Sequence, residues 1–77
     1  MRFYTWDTIL YRVYTSGDGM YPEIWNANLE AWQPNRTILP MIYNGDPAID
    51  QVSKAAAERM APGSTASNAE VIYDAVE

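Results

Sequence analysis

The stretch Trp6–Asn28, WDTILYRVYTSGDGMYPEIWNAN, constrains this chain more than any other. It holds two apolar patterns on either side of Ser16-Gly17-Asp18-Gly19, a run of turn residues. In the first pattern Trp6, Ile9, Leu10, Val13 and Tyr14 fall at i, i+3, i+4, i+7 and i+8, the spacing of one helix face. Asp7 suits the N-cap of that helix, since its carboxylate can accept from the first free amides. In the second, Pro22 fits a first helical position and Tyr21, Ile24, Trp25 and Leu29 recur at helical spacing. Asn28 closes this helix as a residue that tolerates a left-handed backbone. Helices this short need packing partners to persist.

The rest of the chain supplies them. Arg2-Phe3-Tyr4-Thr5 has strand-type residues and leads into the Asp7 cap. Glu30–Asn35 reads as a turn, with Trp32 covering the core. Thr37-Ile38-Leu39 and Met41-Ile42-Tyr43 read as a second strand, with Pro40 at an edge, a bulge or the strand's end. Nine of the ten aromatic residues lie in positions 1–43. This shift in composition divides the chain into a domain over 1–43 and an extension over 44–77. In the extension, Asp46 caps and Pro47 opens a third helix over about 47–61, whose stripe is Ile49, Val52, Ala56 and Met60. Pro62-Gly63 ends it, Ser64–Asn68 reads as a linker, and Ala69–Glu77 is an apolar arm carrying Val71, Ile72, Tyr73 and Val76. The expected class is α+β: a β-α-α-β unit with a helical C-terminal extension.

Composition limits the chemistry. Without cysteine or histidine, thiolate zinc sites, disulfides and the usual general base are excluded, and neither a catalytic residue, a metal ligand set nor a cofactor is expected. The net charge of −5 and the scatter of the five basic residues argue against nucleic acid and anionic membranes. No apolar run is long enough to span a bilayer.

Several segments together resemble the LysM fold, and more closely the LysM-like tail protein X family of contractile phages. Trp6-Asp7-Thr8-Ile9 stands for the family's Gly-Asp-Thr-Leu start, and Tyr14 for the end of its first helix. Ile24-Trp25-Asn26-Ala27-Asn28 stands for the leucine…alanine-asparagine segment, and Pro34–Pro40 for the closing turn and strand. The resemblance covers about half the chain. It implies a structural component of a tail or baseplate, made in the host cytoplasm and residing in the virion. Its partners would be other tail proteins: hub, spike and wedge. Candidate protein contacts are Trp25, Trp32, Tyr43 and Met60, with Val71, Ile72 and Tyr73 in the arm; Asp7, Asn28 and Asp46 are structural caps. The alternative is a LysM module for peptidoglycan or another N-acetylated glycan, its groove formed by the loop after Asp7-Thr8 and the loop around Leu29–Trp32. Trp6, Trp25 and Trp32 would suit a sugar platform, a protein interface or a core.

Overall fold

The computed structural model describes residues 1–66. Strands β1 (Arg2–Trp6), β2 (Ile9–Ser16), β3 (Gly19–Asn26) and β4 (Ala31–Pro34) form an antiparallel meander. A helical turn, α1 (Leu39–Tyr43), then leads to β5 (Ile49–Val52), which pairs antiparallel with β1. Helix α2 (Lys54–Met60) follows. The sheet order is β4-β3-β2-β1-β5.

This replaces the expected β-α-α-β unit. Residues 9–26 are a β-hairpin rather than two helices, and 39–43 are helical rather than a strand. The reason lies in how both sheet faces are covered. Directly opposed residues share a face, so Pro34, Glu23, Arg12, Phe3 and Val52 make one row across all five strands. On that face Phe3, Leu10 and Trp32 pack with Ala57 and Ala61 from α2 and the segment after it. On the other, Tyr4, Tyr11 and Val13 pack with Ile38 and Ile42 around α1. A strand buried on two sides is apolar at consecutive positions, which supplies residues for a helical stripe by coincidence. The stripe at positions 6, 9, 10, 13 and 14 is in fact split: Trp6, Ile9 and Val13 face α1, while Leu10 and Tyr14 face the α2 side.

Pro22 sits within β3 because of where its nitrogen points. A residue's N–H and C=O leave a strand on the same side, and the Pro22 carbonyl accepts from Asn35 N–H at 3.1 Å. The missing N–H therefore faces the end of β4, and no β2–β3 ladder bond is lost.

The expected caps take other roles. Asp7 occupies the two-residue turn between β1 and β2, with φ 61°, a left-handed conformation that Asp tolerates better than most residues. Asn28 lies in the β3–β4 turn, where its N–H and that of Leu29 donate to Asn26 Oδ1. Asp46 accepts from Ala48 N–H at 2.8 Å in the turn before β5. The helix cap in this region is Ser53, whose Oγ accepts from Ala56 N–H. The third helix thus begins at Lys54, and Ile49 and Val52 belong to β5.

Ser64, expected in a linker, is fully buried. Its carbonyl accepts from Trp32 Nε1–H at 2.9 Å, fastening the segment after α2 to the sheet. Glu58 holds the same segment from the outside. Its Oε2 accepts from Gly63 N–H, and its Oε1 accepts from the hydroxyl and N–H of Thr65. The Thr65 hydroxyl and then the two backbone donors hold the Glu58 carboxyl below its usual 4.5. A carboxyl lowered by folding stabilises the fold above its ordinary pKa and loses that contribution as pH falls through its folded value. Glu58→Gln should therefore melt at a lower temperature than the wild type at pH 7. Melting curves of the two should converge once the pH drops below the glutamate range.

Candidate functional site

Helix α2 covers only part of its sheet face. Beyond it, towards the β2–β3 turn, Tyr14 and Tyr21 stand opposite one another, 50% and 45% exposed. Their ring centroids are 6.3 Å apart at an interplanar angle of 38°. With Arg12, Glu23, Pro34 and Arg36 they line an open cleft of about 470 Å³.

Each part follows from local sequence. Gly17-Asp18 closes a two-residue hairpin between Ser16 and Gly19, so the pairing counts back symmetrically: Tyr14 with Tyr21, then Arg12 with Glu23. The turn also fixes the ring of Tyr21. Its hydroxyl donates to Asp18 Oδ1 at 2.9 Å, and Ser16 Oγ donates to the same oxygen. The bond from Ser16 and then that from Tyr21 hold the Asp18 carboxyl below its usual range.

The floor of the cleft is an ion pair. Arg12 Nε donates to Glu23 Oε1, with the two side chains 11% and 10% exposed. The Arg12 guanidinium also lies 4.3 Å from the centroid of the Trp32 ring. These charges are matched, so the floor offers little net charge to a ligand. At the rim, Arg36 is exposed, and its side chain has no hydrogen-bond or ion-pair partner among the described residues. Arg36 also borders a neighbouring cleft containing Pro40 and Tyr43. An apolar aromatic surface, a neutral floor and an exposed guanidinium can bind an apolar segment and an anion together; nothing in the set activates a nucleophile.

The residues singled out from sequence are spread over the molecule. Trp32 is wholly buried and unavailable to a partner; it touches Phe3, Trp25 and Arg12 instead. Tyr43 is 72% exposed, its hydroxyl directed at Met20 Sδ. Half-buried Trp25 and exposed Met60 meet in a second cleft of about 350 Å³, at the opposite end of the same face. Thr8, Ile9, Ala27 and Glu30 also line it, so the two loops expected to make a glycan groove are brought together there. Val71, Ile72 and Tyr73 lie outside the described residues. Tyr14 and Tyr21 escaped notice because the helical reading turned them inward. The signal that finds them is Gly-Asp flanked by strand-type residues, which pairs positions summing to 35.

Among the described residues no group of three acidic, His or Cys side chains is arranged to hold a metal, and no helix is long and apolar enough to cross a membrane. Comparison with protein-family models, with curated proteins and with solved structures finds no match.

Proposed function

We propose that this protein is a non-enzymatic docking subunit that joins a larger protein assembly by receiving an apolar segment of a partner on the Tyr14–Tyr21 cleft. The observation that carries the reading is the pair of exposed rings, one of them held by Asp18, over a charge-matched floor. Tyrosines give large contact area for little lost side-chain freedom, and an aromatic fixed before binding costs less to order. The site lies on a sheet face, so side chains rather than ladder hydrogen bonds do the recognition. A contractile tail or baseplate is one such assembly. That setting rests on the motif resemblance, since the sheet removes the β-α-α-β unit that supported it; the docking role does not depend on it.

Selection from a random peptide display library tests this reading. Selected peptides should bind saturably, and Tyr21→Ala should weaken them about tenfold or more, the scale of an aromatic hot spot. Tyr21→Phe should weaken them less, because only the tether to Asp18 is lost. Full affinity in Tyr21→Ala and Tyr14→Ala would contradict the assignment.

One observation favours a second reading, a glycan seat. The turns at 7–8 and 27–30 line one cleft with Trp25. Sedimentation with insoluble peptidoglycan tests it: a glycan seat requires saturable binding that is lost in Trp25→Ala.

A further inference from the structure

Resting on the docking reading, we infer that the segment the Tyr14–Tyr21 cleft receives is the C-terminal stretch, Ala69–Glu77, of a neighbouring copy of this chain. The chemistry of the two surfaces is complementary. The cleft presents Tyr14, Tyr21 and Pro34 as apolar contacts, and Arg36 as an exposed cation with no ion-pair partner among the described residues. The stretch AEVIYDAVE supplies Val71, Ile72, Tyr73 and Val76 interleaved with Glu70, Asp74 and Glu77, and it contains no basic residue. Its three carboxylates are a large share of the chain's net charge of −5, so an exposed guanidinium beside an apolar cleft is matched within the same sequence.

Length permits the encounter. Residues 67–77 reach at most roughly 35–40 Å when fully extended. The longest dimension of the molecule is 30 Å. Val71–Tyr73 stand only five to seven residues beyond Ala66, a reach of roughly 16–25 Å, which the cleft of a neighbouring copy can meet by approach. Received from a neighbour, it links copies head to tail, a heterologous contact that builds rings or filaments.

The test uses the full chain. Amide signals of Tyr14, Tyr21 and Arg36 are compared between the wild type and the double variant Ile72→Asp/Tyr73→Asp. These signals should shift in the variant. A synthetic peptide of residues 67–77 added to the variant should restore them saturably, and adding Arg36→Glu should weaken that peptide about tenfold or more. Arg36 is exposed, so its replacement leaves the core intact, which the unchanged signals of Trp32 and Tyr11 verify. Occupancy from a neighbour falls as the wild type is diluted; cleft signals that do not change on dilution would overturn the inference. If the double variant leaves the cleft signals unmoved and the peptide fails to bind while display-selected peptides do bind there, the inference is overturned and the docking reading stands. If neither kind of peptide binds the cleft, both fall.

Discussion

Trp32→Ala is expected to leave much of the protein unfolded at room temperature. The ring is fully buried, 5.2 Å from Trp25 and 6.3 Å from Phe3 between centroids, with the Arg12 guanidinium over its face. Removing a buried tryptophan costs about 3–5 kcal/mol in lost transfer and cavity formation. The Ser64 carbonyl would also lose its donor inside the core, at a further cost of about 1–3 kcal/mol. A domain this small has a stability near the low end of the usual 5–15 kcal/mol, roughly the size of the combined loss. Trp32→Phe keeps an aromatic body but orphans the Ser64 carbonyl, so it should cost clearly less than the alanine variant. Urea denaturation followed by far-ultraviolet circular dichroism compares the three proteins. A loss under about 1 kcal/mol for Trp32→Ala would show that the core is not centred on this ring.

The Arg12–Glu23 pair gives the second large effect, and its sign depends on how the pair is altered. Removing one partner, as in Glu23→Ala, leaves an uncompensated guanidinium that is nearly buried and should cost about 3 kcal/mol. Replacing both, as in Arg12→Leu/Glu23→Leu, removes the desolvation cost with the attraction and should come within about 1 kcal/mol of the wild type or exceed it. The two side chains are opposed across β2 and β3, so the pair also favours one register of the hairpin over a slipped one. A double variant as unstable as the single one would show that the ion pair is a net stabilising element.

How much of this was legible in the sequence follows from what each residue faces. The first strand and the Ser16–Gly19 turn could be read because strand-type residues and turn residues stand there without competition. The flanking strands could not. Leu10–Val13 and Pro22–Trp25 are buried or half-buried on both faces, and the apolar run this produces contains part of a helical stripe as a subset. Two further features settle the period once weighed: Tyr11 and Arg12 are buried but absent from the helical stripe, and β-branched and aromatic residues dominate Ile9–Thr15. Pro22 pointed towards a helix start because its acceptable place in a strand depends on β4 ending beside it. Thr37–Tyr43 resembled a strand in composition, yet Asn35 Oδ1 accepts from Thr37 N–H and turns the chain into α1, with Pro40 in its first turn.

The candidate site was less legible than the fold, because it is a product of pairing. Tyr14 and Tyr21 become neighbours only through the hairpin register, and Arg36 joins them only when the chain leaves β4. The bulk of tryptophan drew attention to Trp32, which the fold uses as its centre. Exposed aromatics next to a turn proved a better pointer to a surface than the largest aromatic in the chain.

The claim that the Tyr14–Tyr21 end of the sheet is the docking surface is tested most directly by mapping a bound, display-selected peptide through the amide chemical shifts of the full chain. Docking there predicts saturable shifts centred on Arg12–Tyr14, Tyr21–Glu23 and Arg36, with the other end of the face unaffected. Shifts centred on Thr8, Ile9, Trp25, Glu30 and Met60 would contradict it and assign binding to the cleft between the two turns.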